Sequence, residues 1–159
     1  MVKGPVIFVD ADACPVKDEI YRVAERYRLD VKIVANAWIR TPVAPRGHGS
    51  IEMVTVEDGP DVADDWIAER AGRCDIVVTA DIPLADRALK AGAAALSPKG
   101  KPFTPDSIGA ALAQRAVMEH IRSTGEITGG PSAFGQADRS RFLSALDVAV
   151  NRALREAKG

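Results

Sequence analysis

The chain is poor in the residues that build the most readily recognised sites. Among 159 residues there are two cysteines, Cys14 and Cys74, and two histidines, His48 and His120. Two cysteines so far apart form neither a disulfide framework nor a zinc-ligand spacing, and a reducing cytoplasm is the expected compartment. Neither histidine bears a spacing relation to Cys14, so the sequence offers no Cys–His nucleophile, and Cys14 reads as a packed thiol. Charge of one sign is also missing. Twenty-one basic against 22 acidic residues leave a net charge of −1, so no global field attracts a polyanion, and any such partner needs a local basic patch. No apolar run approaches the roughly 20 residues that span a bilayer, so no membrane is expected. Only Met1-Val2-Lys3-Gly4 lie ahead of the first expected strand, and no signal peptide is expected. Repeats and low-complexity segments are absent.

What remains is the composition of an ordinary globular protein, 47% hydrophobic and 27% charged. At this length one domain, 1–159, with a sizeable core is expected. Its organising stretch is Val6-Ile7-Phe8-Val9-Asp10-Ala11-Asp12-Ala13-Cys14-Pro15-Val16. A short apolar run reads as a buried strand. Pro15 suits the opening of a helix, where its missing N–H leaves nothing unpaired. Asp10 and Asp12 therefore fall on the turn leaving the C-terminal end of a strand, the edge at which open α/β sheets bind ligands.

The chain then alternates. Val16, Ile20, Val23, Ala24 and Tyr27 form a helical stripe, and residues 31–35 a second strand ending at Asn36. Residues 37–50 carry Pro42, Pro45, Gly47 and Gly49 and read as a loop bearing Trp38, Arg40, Arg46 and His48. Residues 51–56 are a third strand, and Asp58-Gly59-Pro60 a turn. A helix with Val62, Ala63, Trp66 and Ile67 inward carries Asp61, Asp64 and Asp65 in or near its first turn, where acids complement the helix dipole. A fourth strand over 75–79 ends at Ala80-Asp81, and Pro83 opens another helix, which Gly92 ends. Residues 93–96 are a fifth strand, followed by a loop with Lys99 and Lys101. Thr104 caps a helix from Pro105 to about Ser123, with Gly125 as its stop, and Gly129-Gly130-Pro131 is a turn. Asp138 is expected to cap the last helix, with its stripe at Phe142, Leu146, Ala149 and Ala153.

Strands alternating with helices predict a three-layer α/β fold, a mainly parallel sheet of about five strands with helices on both faces. The helix-free connection between the second and third strands leaves the third strand's direction open. In the doubly wound order 2-1-3-4-5 or its variants the first strand is central, which brings the end of the Asp10 strand beside that of the Asp81 strand.

Asp10, Asp12 and Asp81 then share one edge, with Asp64, Asp65 and Asp86 on helices that start there. Crowded carboxylates raise one another's pKa, and a divalent cation relieves the repulsion; Mg²⁺ takes one or two carboxylates, keeps waters and accepts phosphate oxygens. Each piece also has a plainer reading. Asp12 alone suits a cap, Asp64 and Asp65 suit dipole-complementing surface acids, and Asp86 suits half of a solvated pair. Recurrence favours a site, because two apolar strands end in Asp and both lead towards a proline. Trp66 belongs to a core face, whereas Trp38, beside Arg40 and Arg46, is the better stacking residue. Of Arg115, Arg122, Arg139 and Arg141, most suit solvent; one or two can return to the acidic edge as structural partners or phosphate clamps. His120 suits a structural place on a helix.

Four blocks, Asp10-Ala-Asp-Ala-Cys-Pro-Val-Lys17, Asp61-Val-Ala-Asp-Asp-Trp-Ile67, Thr79-Ala-Asp-Ile-Pro-Leu-Ala85 and Gly129-Gly-Pro with Phe134, Asp138-Arg139 and Phe142, resemble the YaiI/YqxD family of uncharacterised bacterial cytoplasmic proteins. That family is similar in fold to the PIN-like nucleases, whose acids at the C-terminal edge of a parallel sheet bind Mg²⁺ or Mn²⁺ and cleave RNA. The resemblance implies a metal-dependent nuclease with Asp10, Asp12 and Asp81 as catalytic acids and Asp10, Asp12, Asp65 and Asp81 as metal ligands. Asp64 is the open alternative to Asp65, and Asp86 a candidate fourth acid. Lys17, Asn36, Arg46 and His48 are the candidates for contact with RNA. The doubled Asp10 and Asp12 and the following Cys14-Pro15 depart from the ordinary PIN pattern.

Two other readings compete. The strand followed by Asp-x-Asp also fits a haloacid-dehalogenase-like phosphatase, with Asp10 as nucleophile and Asp12 as general acid. That group expects a Ser or Thr after the second strand and a Lys before the last acids, whereas here Asn36 stands at the first place and no lysine lies between Lys32 and Lys90. The third reading is a non-catalytic RNA-binding or regulatory domain that keeps an acidic pocket.

Overall fold

The apolar run Val6–Asp10 forms the central strand β1, and its alternate residues divide the molecule into layers. Ile7 and Val9 face one core, Val6 and Phe8 the other. This computed structural model describes residues 4–43, 49–59, 61–124 and 134–158. Around β1 lie α1 (Lys17–Tyr27), β2 (Asp30–Ala35), β3 (Ile51–Thr55), α2 (Val62–Arg70), β4 (Ile76–Val78), α3 (Ile82–Lys90), β5 (Ala94–Leu96), α4 (Pro105–Thr124) and α5 (Gln136–Lys158). All five strands pair in parallel, in the order β3-β2-β1-β4-β5. On one face Ile20 and Val23 of α1 and Phe142, Leu146 and Val150 of α5 cover Ile7, Val9, Val31, Ile33 and Val78. On the other, Ile67 of α2, Leu84 and Ala88 of α3 and Ile108 of α4 cover Val6, Phe8, Val34 and Val77. Two cores on opposite faces of one sheet are the three-layer α/β arrangement that the alternation of strands and helices implied.

The strand order refines that expectation. β1 is central, and its second neighbour is β4 rather than the third strand. The connection from β2 to β3, residues 36–50, carries no helix among its described residues, yet β3 runs parallel to β2. Parallel pairing makes β2 and β3 a crossover pair rather than a hairpin.

Two helix starts differ from expectation. Asp10 is followed by a single 3₁₀ turn, Ala11–Ala13, and α1 begins only at Lys17 after Val16. Pro15 thus lies between turn and helix rather than in the helix's first turn, and Cys14 closes the 3₁₀ turn. Asp138 lies inside the first turn of α5, where its carboxylate accepts from the Gly135 N–H at 2.9 Å. It satisfies a free N-terminal donor from within the helix, the reciprocal half of a capping box. The expected cap at Thr104 is present, accepting from the Ser107 N–H at 3.0 Å, and Asp81 caps α3 as well, accepting from the Leu84 N–H at 3.0 Å. Among the described residues no helix is long and apolar enough to cross a membrane. Pro60, Gly125 and Gly129-Gly130-Pro131 lie outside the described residues.

Candidate metal and phosphate site

The site grows from the register of the two middle strands. Val9 pairs with Val78, which sets Asp10 level with Thr79 at the C-terminal edge of the sheet. Thr79 is fully buried. Its hydroxyl donates to Asp10 Oδ2 at 2.8 Å and accepts from the Asp81 N–H at 2.9 Å. One side chain therefore fixes both acids that the strand pattern singled out. Asp12, on the 3₁₀ turn, is exposed and accepts from the Asn36 N–H at 3.1 Å, tying the end of β1 to that of β2.

The third acid is Asp64. Its carboxyl shares a hydrogen bond with that of Asp81, and its pKa is pushed up to about 7, first by burial and then by the negative charges of Asp81 and Asp10. The Asp10 carboxyl is also raised. Burial is the main cause, Asp12 and Asp81 add to it, and the Thr79 hydroxyl works against it. Three carboxyls from β1, α2 and the β4–α3 junction thus feel one another at one edge.

Asp65, expected among the ligands, is directed elsewhere. Ala63 and Ile67 are buried against the sheet. At 3.6 residues per turn Asp65 comes about 180° from the middle of that face, whereas Asp64 comes on its flank. Asp65 is accordingly exposed and pairs with Arg87 of α3 at 2.6 Å. The choice between the two was legible in the spacing to Ala63 and Ile67 alone. Asp86 pairs with Lys90 at 2.8 Å, the plainer of its two readings.

Of the residues expected to touch substrate, Lys17 donates to the Cys14 carbonyl at 2.8 Å. Asn36 uses its side-chain amide to donate to the Glu57 carbonyl at 2.8 Å. Arg46 and His48 lie outside the described residues. Trp38 is 71% exposed, while Trp66 packs against Phe8 with ring centroids 6.2 Å apart. Arg139 of α5 does return to the acidic edge. It donates to the Pro15 carbonyl at 2.7 Å and to Glu19 at 3.2 Å, bracing the segment after the 3₁₀ turn. The Cys14 thiol is buried, and burial raises its pKa, as befits a packed group rather than a nucleophile.

The donors gathered here, Asp10, Asp64, Asp81 and the Thr79 hydroxyl, are all oxygens. That chemistry suits a hard cation such as Mg²⁺ or Mn²⁺ and disfavours zinc, which prefers nitrogen and sulfur. Among the described residues no three His, Cys, Asp or Glu side chains stand close enough to enclose an ion. The fit is therefore to a hydrated cation held by one or two carboxylates, not to a closed protein cage.

Residues 8–152 match the family described as "Uncharacterized BCR, YaiI/YqxD family". The chain belongs to the YaiI/YqxD family. Among its relatives, a UPF0178 protein of Caulobacter sp. strain K31 is 62% identical over 94% of this chain and 97% of its own length. One from Rhodopseudomonas palustris strain CGA009 is 62% identical over 94% and 92%, and one from Nitrobacter winogradskyi is 59% identical over 92% and 90%. No solved structure matches the chain. The candidate site residues discussed above, from Asp10 to Arg139, lie within the span matched to the YaiI/YqxD family.

Proposed function

We propose that this YaiI/YqxD protein is a PIN-like, Mg²⁺- or Mn²⁺-dependent phosphodiesterase that hydrolyses RNA. The observation that carries the reading is the meeting of Asp10, Asp64 and Asp81, delivered by three separate elements to the C-terminal edge of a parallel sheet. Structural acids are ordinarily paired with a base, as Asp65 and Asp86 are here. Asp10, Asp64 and Asp81 are in no such ion pair among the described residues, and Asp64 feels the charges of the other two, a crowding that the helix cap made by Asp81 does not by itself require.

A bound divalent ion would supply positive charge to the phosphate and a more acidic water for attack. Asp10 and Asp81 are the residues to hold it, with Asp64 on the flank and Asp12 at the rim. Thr79 orients Asp10 so that one oxygen is used inside the fold and the other is free to face outward. Asp64, whose pKa is pushed up to about 7 by burial and by the charges of Asp81 and Asp10 when no cation is bound, stands beside the ion as the residue to exchange a proton with a reacting oxygen. Lys17, Asn36, Arg46 and His48 remain the substrate contacts of this reading.

The phosphatase alternative gains nothing from the geometry, since Asn36, at the place of the expected Ser or Thr, spends its side-chain amide on the Glu57 carbonyl. The non-catalytic alternative does gain something: the acids do not enclose an ion among the described residues. Mn²⁺ titration followed by calorimetry, with single-stranded RNA cleavage assayed alongside, decides between them. Micromolar-to-millimolar Mn²⁺ binding and metal-dependent cleavage, both lost in Asp10→Asn and Asp81→Asn with the fold retained, are the expected results. Metal binding with no cleavage favours the non-catalytic domain, and unchanged metal affinity in Asp10→Asn defeats the assignment.

A further inference from the structure

A cleft of about 450 Å³ opens beside the acids, on the side away from β2 and β3. It is lined by Ala80, one residue before Asp81, by Pro15, just after the Asp10–Asp12 turn, and by Lys99, Lys101, Phe103 and Phe134. That volume is within the range of pockets that take small organic ligands.

The two lysines sit on a built turn. Gly100 N–H donates to the Ser97 carbonyl at 2.9 Å, Ser97 N–H to the Lys101 carbonyl at 3.0 Å, and Lys101 N–H to Ser97 Oγ at 3.1 Å. Leu96 and Pro102 bridge the base of the turn. Gly100 lies flush on α5 with φ +86°, and a Cβ there would meet the Arg141–Phe142 backbone at 2.6 Å. Only glycine fits that approach, so the turn is pinned to the helix and presents Lys99 and Lys101 from a fixed base. Both are exposed, and among the described residues neither side chain is in an ion pair. Lys99 stands within electrostatic reach of Asp138. Two exposed lysines beside an acidic edge, neither in an ion pair among the described residues, join proline and phenylalanine side chains in a surface complementary to something anionic with a flat apolar part.

We infer that this cleft binds one nucleotide unit of the single-stranded nucleic acid adjoining the cleaved phosphodiester, with Lys99 and Lys101 on its phosphate and Phe134 or Phe103 under its base. The inference rests on the phosphodiesterase reading for what lies next door, but the binding itself does not need turnover. Phosphate contacts set affinity and its salt dependence, whereas aromatic stacking adds affinity without reading sequence. Both features suit a chain with no global positive field. Arg139 stands over the Phe134 ring, 5.2 Å from its centroid.

The test is fluorescence anisotropy with a labelled single-stranded oligouridylate in EDTA, where nothing can be cut, repeated across salt concentrations. Lys99→Glu/Lys101→Glu, with Gly100 kept, is expected to weaken binding at least about tenfold and to flatten the log–log salt slope by about 0.7, the share of one phosphate contact on a single strand. Phe134→Ala is expected to weaken binding roughly tenfold with the slope unchanged, because a base stack carries no charge. Urea midpoints equal to the wild type show that the fold is intact. Wild-type affinity and slope in the lysine variant overturn the inference. Mn²⁺-dependent cleavage of the same strand is read separately. Cleavage whose KM ignores the lysines defeats the cleft but keeps the hydrolase, lysine-dependent binding without cleavage keeps the cleft but defeats the hydrolase, and neither binding nor cleavage defeats both.

Discussion

Thr79 and Asp10 are joined by a 2.8 Å hydrogen bond between a fully buried hydroxyl and a carboxylate at the sheet edge, and the same hydroxyl receives the Asp81 N–H. Thr79→Val keeps the shape and removes both bonds. A buried donor left unpaired costs about 1–3 kcal/mol, so the variant should unfold at lower urea by that amount. The hydroxyl is also what holds the Asp10 pKa down, so Asp10 should titrate at higher pH in the variant, as read by carboxyl NMR. A stability and an Asp10 titration both equal to the wild type would remove Thr79 from the site.

The pH dependence of stability should carry the mark of Asp64. Its pKa rises from the ordinary 3.8 to about 7 in the fold, so between those values the folded chain binds more protons than the unfolded one. Its contribution to stability therefore declines as pH climbs from about 4 to about 7 and is level on either side. Asp64→Asn abolishes that decline. After discounting for solvent screening at a half-exposed position, the variant should be more stable than the wild type by about 1 kcal/mol above pH 7, and the two should converge near pH 4. Parallel melting curves at every pH would contradict the shared-proton picture.

Arg139 holds Pro15 and Glu19, and the Glu19 side chain is only 14% exposed. Arg139→Ala leaves that carboxylate without its partner and should cost about 2 kcal/mol. The neighbouring Arg141 pairs with Asp138 on the surface, and Arg141→Ala should stay within about 0.5 kcal/mol of the wild type. Equal urea midpoints for the two variants would show that the brace contributes nothing.

Cys14 is buried and its pKa is raised by burial, while Cys74 is half-buried. A thiol reagent should therefore modify one cysteine quickly and the other only as fast as the chain opens. Cys74→Ser should remove the fast phase, and urea should accelerate the slow one. Rapid labelling of Cys14 in the folded protein would reopen its case as a nucleophile.

These sites were legible in the sequence to different depths. Apolar runs ending in Asp10 and Asp81 were enough to place both acids at one sheet edge, because a buried parallel strand has a strong composition signal and a parallel sheet has one ligand edge. The choice of Asp64 over Asp65 was also present, in helical spacing from Ala63 and Ile67. The start of α1 was not, since a 3₁₀ turn and a helix share the same residue preferences and Pro15 suits either boundary. Nor was the Lys99–Lys101 turn legible as a surface. Its rigidity depends on Gly100 meeting α5 some forty residues later, a long-range contact that leaves no local pattern. Lys99 and Lys101 therefore read only as a loop, while Trp38 and Arg40 drew attention by their local composition.

The brace from Arg139 to Pro15 spans 124 residues of chain. The same helix closes one core with Phe142, Leu146 and Val150, so α5 both covers the sheet and steadies the segment that follows Asp12. Completion of the edge therefore waits for the last helix to be made, and truncation upstream of residue 139 should cost the fold together with the place where the carboxylates work.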